Sequence, residues 1–356
     1  MSFSKLIRKI HLWLGVTCGL IVSFSGLTGS LYVWQPEITR MLNSEMLVIK
    51  DENALGNKEI LQTTISLIEV HKDSISKIVL PYREQQTISI EFKGGRKNYY
   101  HPSSGSLLGE KSNSIVFFET LLRLHRSLGI PDVGKYIVGV SALVFCFMLL
   151  SSGVYIWWTI YAKKLRKGFI FKWKSKKRKF NFDMHKVAGI YFFVPLFIIA
   201  LSGAYFTNNS YYKSILRIFD EKPQVETPIE SISHTSGITD FLSTIQDEYD
   251  IWAIHFPTVD SKEYRIRFIE DSSIQSGLRK TKEVRITNKG QVRVLSDYKS
   301  ESFSNRMAAQ FYPIHIGEIA GILGRILVFI SGLIPLMLFI TGLKIYKAKR
   351  FKKFRS

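Results

Sequence analysis

The sequence predicts an α-helical membrane protein: a four-helix transmembrane bundle built from two tandem repeats, with two α+β modules on the extracytoplasmic side. Three observations predict it. Four long apolar runs carry no charge, the net charge is concentrated in three short segments, and a set of motifs recurs at fixed offsets in the two halves of the chain.

The apolar runs span 12–34, 136–161, 187–208 and 326–343. A helix needs about 20 apolar residues to cross the hydrocarbon core of a bilayer. The fourth run is short, but 319–324 extends it upstream with only Arg325 between. The chain of 356 residues is 46% hydrophobic and yet carries a formal net charge of +20. Membrane proteins with basic cytoplasmic segments combine these properties routinely.

The charge is sorted by segment. Lys5, Arg8 and Lys9 precede the first run. The loop 162–183 holds ten basic residues against Asp183 alone, and the tail 344–356 holds seven and no acid. Positive segments stay in the cytoplasm, so both termini and this loop are expected inside. The organisation expected is 1–34 for the N-terminus and first span, 35–133 for the first outer module and 134–161 for the second span. The basic loop 162–183, the third span 184–208, the second outer module 209–318, the fourth span 319–343 and the basic tail 344–356 follow. Topology accounts for the basic loop, so no nucleic-acid partner is expected; membrane lipid is. The first run reads as an uncleaved anchor, because its apolar stretch is too long for a signal peptide and no small-x-small site follows. Cys18 and Cys146 lie inside apolar runs and form neither a disulfide framework nor a thiolate motif.

The chain is built twice. His11 is followed by Gly15 and Leu27-Thr28-Gly29, and His185 by Gly189 and Leu201-Ser202-Gly203, at equal offsets. His125 precedes Gly134-Lys135 as His315 precedes Gly324-Arg325. The second and fourth runs end alike, in Ser152-Gly153-Val154-Tyr155-Ile156-Trp157 and Thr341-Gly342-Leu343-Lys344-Ile345-Tyr346. Repeats of this kind place a functional site at their interface, and the small residues let helices approach closely. In the first outer segment a helix is expected near 58–71, then strands at 75–80, 87–92 and 98–101, with a turn at Gly94-Gly95. In the second, a helix is expected near 238–249 and strands at 251–256, 264–269, 283–286 and 292–295, with a turn at Asn288-Lys289-Gly290.

Four of the eight histidines belong to the repeat. His11 and His185 fall at the cytoplasmic starts of the first and third spans, and His125 and His315 at the outer ends of the second and fourth. Two bundle helices, each offering an imidazole at one depth, can clamp a haem iron. Spacing alone leaves proton carriage, another metal site or ordinary headgroup-level histidines open. Glu318 follows His315 by three residues, within reach of a second metal ligand if the helix continues. His71, His101, His234 and His255 lack matched partners and read as surface or turn residues, with substrate contact a weaker reading for His101 and His255. Pro195 and Pro335 are expected to kink their helices. Arg123, Arg126, Lys135 and Arg325 cluster in sequence near the outer pair, as haem propionate or substrate contacts or as plain membrane-flanking cations. Straight helices would separate the two pairs by roughly 30 Å. Phe24, Phe145, Phe147 and Phe197 fall between them, and read more simply as lipid-facing or core residues.

RKIHLWLGV, SGLTGSLYVW, LHRSLG, GKYIVGVSALVFCFMLLSSGVYIWW, DMHKVAGIYFFVPLFIIALSGAYF and PIHIGEIAGILGRILVFISGLIPLMLFITGLKIY resemble the PepSY-associated transmembrane helix family over nearly the whole chain. ISKIVLPYREQQTISIEFKGGRKNYYHPSSGSLLGEK resembles a PepSY module, with His101 where members usually have aspartate. The resemblance implies two PepSY-like modules, a bacterial inner-membrane location, and a haem-containing reductase of ferric siderophores. It implies haem b, in two copies, with His11, His185, His125 and His315 as axial ligands. No CxxCH stretch occurs, which excludes covalent attachment. No GxGxxG stretch or nucleotide-binding domain occurs, so quinol or a separate cytoplasmic reductase is the expected electron donor. A non-enzymatic membrane protein that binds or regulates a periplasmic partner, and an iron-chelate transporter, are the alternatives.

Overall fold

The computed structural model describes residues 2–49, 56–220, 231–258, 261–273, 276–287 and 289–353. In chain order the helices begin with α1 (Phe3–Val16), α2 (Cys18–Val33), α3 (Gln35–Leu42), α4 (Ser44–Leu47) and α5 (Asn57–His71). Strands β1 (Ile75–Val79), β2 (Ile88–Phe92), β3 (Lys97–Tyr100) and β4 (Leu107–Glu110) follow. Next come α6 (Asn113–Ser127), α7 (Gly134–Val144), a π-helical turn Phe145–Leu150, α8 (Ser151–Tyr161), α9 (Leu165–Phe169), α10 (Lys177–Tyr191) and α11 (Phe193–Leu216). The remainder is β5 (Ser231–His234), α12 (Ile238–Thr244), β6 (Asp250–His255), β7 (Tyr264–Ile269), β8 (Thr281–Ile286), β9 (Gln291–Asp297), α13 (Phe303–Ile316) and α14 (Gly321–Lys353). The chain divides into two compact units. One comprises Met1–Trp34, Phe118–Tyr212 and Phe311–Ser356, the other Gln35–Phe117 and Lys213–Gln310.

The first unit is helical. Gly134–Phe169 and Glu318–Ala348 are each long and apolar enough to cross a membrane. The pairs α1–α2 and α10–α11 are bent by 46° and 63°, which makes up to four spans if each bent pair is one. The first bend is at Thr17, whose hydroxyl donates to the Trp13 carbonyl at 2.9 Å. The second is at Phe192, where Pro195 in the first turn of α11 cannot donate to the carbonyl four residues back. Pro335, also expected to kink, lies inside the continuous α14. Helices α2 and α14 meet backbone to backbone: a Cβ on Gly26 would stand 2.5 Å from the Gly332 carbonyl oxygen. The Ser30 hydroxyl seals this crossing by donating to the Phe329 carbonyl at 2.8 Å. Phe145, Leu149 and Leu150 of the π turn pack with Leu196 and Ile334 as the core of the unit.

The expected placement of His125 and His315 needs correction. They are not on the second and fourth spans but on α6 and α13, which end at Ser127 and Ile316 before those spans begin. After α6 the chain takes positive φ at Leu128 (55°) and Gly129 (74°); after α13 it does so at Gly317 (83°) and Gly321 (59°). A Cβ on Gly134 would collide with the Ser127 carbonyl, and one on Gly324 with that of Gly317. The matched glycines of the repeat are therefore what lets each histidine helix turn tightly into the following span.

The second unit is built on a single sheet. Its strands run β4-β3-β2-β1-β6-β7-β8-β9-β5, and every pairing is antiparallel. Two separate modules were expected; instead β1, from the segment 35–133, pairs with β6, from the segment 209–318, Lys77 opposite His255, Ile78 opposite Ile254 and Val79 opposite Ala253. Each strand alone would leave a long edge of unpaired backbone groups, and joining them removes both edges. The join also aligns Ile90, Ile78, Ile254, Ile266 and Val284 in one buried cross-strand row. Helix α5, with Ile60, Leu67 and Ile68 on its apolar stripe, and α12, with Ile238, Phe241 and Leu242, pack into that same core. The Gly94-Gly95 turn is present, with φ of 119° and 86°. Of the turn expected at 288–290, Asn288 lies outside the described residues, and Gly290 has φ 76°. Helix α12 ends at Thr244, short of the expected 249, and the short edge strands β4 and β5 had no clear alternation to reveal them.

Candidate functional site

The four repeat histidines meet as two pairs within the helical unit. The rings of His11 on α1 and His185 on α10 have centroids 6.2 Å apart, with planes at 80°. Those of His125 on α6 and His315 on α13 are 6.0 Å apart, with planes at 38°. An imidazole nitrogen binds a first-row metal ion at about 2 Å, and the ring centre lies about 1 Å behind it, so two imidazoles on one ion have centres about 6 Å apart.

The hydrogen bonds assign the tautomer. His11 Nδ1 bonds the Ser152 hydroxyl at 2.9 Å, and that hydroxyl spends its own proton on the Leu149 carbonyl at 2.9 Å. His185 Nδ1 donates to the Leu338 carbonyl and to the Thr341 hydroxyl, both at 3.0 Å, and Thr341 donates on to Met337 at 2.7 Å. His125 Nδ1 donates to the Ser25 carbonyl at 2.8 Å, and His315 Nδ1 to the Ile199 carbonyl at 3.0 Å. The Ser202 hydroxyl, which donates to Ile198 at 2.7 Å, adds a contact to His315 Nδ1 at 3.2 Å. Each Nδ1 therefore carries the proton, and each Nε2 keeps its lone pair for a ligand. Metal-binding histidines are oriented in this way, with the second nitrogen held by a carbonyl or hydroxyl.

Glycines make room for the rings. A Cβ on Gly29 would stand 2.8 Å from His125 Cε1, and one on Gly203 2.7 Å from His315 Cε1. At the inner pair Gly153 and Gly342 face Cε1 of His11 and His185, each at 3.4 Å. A cavity of about 550 Å³ lies at this inner pair, walled by apolar side chains such as Leu149 and Leu338, by Gly15 and Gly189, and by Arg8. Its volume falls in the range of cofactor-sized pockets. The two pairs, protonated on Nδ1 and seated against glycines, are the residues that would hold a haem iron.

The distance between the pairs is shorter than straight spans imply. His125 bonds Ser25, fourteen residues after His11, and His315 bonds Ile199, fourteen after His185. At about 1.5 Å per residue that is roughly 21 Å, reduced further by the bends. Of the aromatics between, Phe145 is buried in the core, whereas Phe24 and Phe147 are exposed on the helix surface, and Phe147 meets Phe197 edge-on at 5.9 Å.

The other candidates disperse. Arg325 donates to the Val33 carbonyl at 2.6 Å and lies 4.9 Å from the centre of the Trp34 ring, which ties α14 to the end of α2. Arg123 bonds Thr120 on its own helix at 3.1 Å, and Lys135 lies over Tyr136 at 5.0 Å. Both are exposed, as is Arg126. Glu318 is separated from His315 by the helix break at Gly317, so the two do not share a helical face. Among the described residues no group of three or more His, Cys, Asp or Glu side chains is arranged to hold a metal ion. Sequence reading missed Ser25, Ser152 and Arg8. The offsets that matched Ser152-Gly153 to Thr341-Gly342 carried the signal for Ser152.

No curated protein sequence matches the chain. Residues 8–349 match the model of one family, described as the PepSY-associated TM region. With the match extending across both histidine pairs and nearly the entire chain, the protein belongs to the PepSY-associated TM family.

Proposed function

We propose that this protein is a haem b-containing electron carrier of the bacterial inner membrane that reduces ferric siderophores on the periplasmic face and releases Fe(II). The observation that carries the reading is the 6.2 Å and 6.0 Å spacing of two histidine pairs, with every Nδ1 engaged. His11 with His185, and His125 with His315, would hold two haems, which supply reversible one-electron chemistry. In this reading the repeats form a four-span bundle. The basic loop 162–183 and both termini are cytoplasmic, and the sheet-bearing segments are periplasmic.

The residues have separable tasks. The carbonyls of Ser25, Ile199 and Leu338 fix the rings and raise their basicity as ligands. The apolar wall around the inner pair keeps water out. Arg8 offers a cation on that wall to an acidic edge. Quinol or a separate cytoplasmic reductase supplies the electron. At the outer side the acceptor is chelated Fe(III), which hard oxygen ligands hold far more tightly than Fe(II). One electron therefore releases the metal without cutting any bond in the chelator.

The test has two stages. Purified protein should show a low-spin haem b spectrum. His185→Ala should lose the inner centre and keep the outer, and His315→Ala the reverse. Protein reduced with dithionite and freed of excess reductant should then reoxidise anaerobically on mixing with a ferric siderophore, as an Fe(II) trap colours. No haem, or reoxidation no faster than in buffer, returns the chain to a binding, regulatory or transport role.

A further inference from the structure

The face of the sheet opposite the core carries an unusual row of side chains. Lys97, Glu91, Lys77, His255, Arg265, Arg285 and Arg293 are successive cross-strand partners from β3 to β9. Directly opposed residues of antiparallel strands have Cβ atoms about 5 Å apart, and like charges opposed in this way destabilise a sheet. Here Arg265 opposes Arg285, which opposes Arg293, and Arg267 stands in the neighbouring row opposite Glu283. Glu283 serves both Arg265, at 3.6 Å, and Arg267, at 3.2 Å, and Glu263 reaches Arg285 at 3.5 Å. These carboxylates are fewer than the cations they face.

The same face leaves buried polar atoms unpaired. Arg285 Nε, His255 Nε2 and Trp252 Nε1 are out of solvent and have no hydrogen-bond partner among the described residues, and Arg265 Nε has only the 3.6 Å contact to Glu283. Such groups cost free energy unless something satisfies them. Burial above all, and then the nearby Lys77, Arg265 and Arg267, lowers the His255 pKa to about 4. Yet the arginine side chains remain reachable, with Arg265 and Arg267 each 35% exposed and Arg285 38%. Beside them Trp252 stacks on Tyr82 at 4.9 Å and 28°, with the Arg267 guanidinium 5.7 Å from the Trp252 ring centre.

We propose that this face is a binding site for an oxygen-rich anion, and that it selects ferric chelates of net negative charge, such as tris-catecholates, over uncharged tris-hydroxamates. The first half stands on the sheet alone; the identity of the ligand as a ferric chelate rests on the reductase reading above. The forked donors of these exposed guanidinium groups match multiple oxyanions. An uncharged chelate gains nothing from the opposed arginines, whereas an anion relieves their repulsion.

The experiment uses the full-length protein in detergent and Ga(III), a redox-inert stand-in for Fe(III), so that binding is read without electron transfer or haem chemistry. Calorimetric titration with a triply anionic Ga(III) tris-catecholate should give tighter binding than with an uncharged Ga(III) tris-hydroxamate. Arg265→Gln and Arg285→Gln should each weaken the anionic complex about tenfold, the scale of a lost hydrogen bond to a charged group. Neither should alter the uncharged one. Lys299→Gln, which removes a cation paired with Glu248, should bind as wild type. Equal affinity of unmodified protein for the two complexes overturns the proposal and needs no variant. So does unchanged binding by Arg285→Gln with native circular dichroism. In nanodiscs, abolition of catecholate binding by phosphatidylglycerol, but not by phosphatidylcholine, would assign the face to lipid headgroups and likewise overturn it. Catecholate binding with no haem reoxidation would keep the anion site and sink the reductase reading instead.

Discussion

Adding one methyl group beside each histidine should separate the two pairs. In Gly29→Ala the new Cβ would stand 2.8 Å from His125 Cε1, and in Gly203→Ala 2.7 Å from His315 Cε1. Ordinary contact begins near 3.4 Å, so the rings must retreat by 0.6 and 0.7 Å. That exceeds the tolerance of about 0.5 Å within which a ligand constellation works. Retreat also strains the bonds from His125 to Ser25 at 2.8 Å and from His315 to Ile199 at 3.0 Å. Overpacking costs about 1–3 kcal/mol, against which alanine recovers about 1 kcal/mol of helix propensity. At the inner pair the corresponding distances are 3.4 Å for both Gly153 and Gly342, so no retreat is needed. Haem content by pyridine haemochromogen and redox titration of each variant is the assay. Gly29→Ala and Gly203→Ala should lose, or shift in potential, one centre only. Gly153→Ala and Gly342→Ala should keep both. Wild-type stoichiometry and potentials in the first two, or equal losses in all four, would refute the reasoning.

Two further outcomes follow from the hydrogen bonds and the charges. Ser152→Ala removes the hydroxyl that His11 Nδ1 bonds and should weaken haem retention on dilution about tenfold. Ser202→Ala should do less, because His315 keeps the Ile199 carbonyl. His255 titrates near 4 in the folded protein against 6.5 as its ordinary value. Between those values the unfolded chain binds more protons, so stability is complete above pH 6.5 and declines as pH falls through 4. Hydrogen exchange of the sheet should report this decline, and His255→Asn should flatten it.

Local patterns made much of this protein legible in its sequence. Uninterrupted apolar length marks the spans, because a bilayer core admits few charges. Asymmetric Lys and Arg content predicts which segments stay inside. Matched offsets paired His11 with His185 and His125 with His315, because a repeat copies distances along a helix as well as letters. Alternation located strands 75–79, 88–92 and 264–269 nearly to the residue. Tertiary structure decided what no local pattern encodes. The partners of the outer imidazoles and of His185 include backbone carbonyls, at Ser25, Ile199 and Leu338, and a carbonyl has no signature in the residue that bears it. That α6 and α13, rather than the spans, carry His125 and His315 depends on positive-φ breaks at Gly129 and Gly317, each placed by packing. The join of β1 to β6 pairs residues 174 to 178 positions apart, and only hydrogen bonding between them sets the register. Lys77, His255, Arg265, Arg285 and Arg293 are scattered through the sequence as ordinary strand polars. They become a basic row because that register brings them side by side.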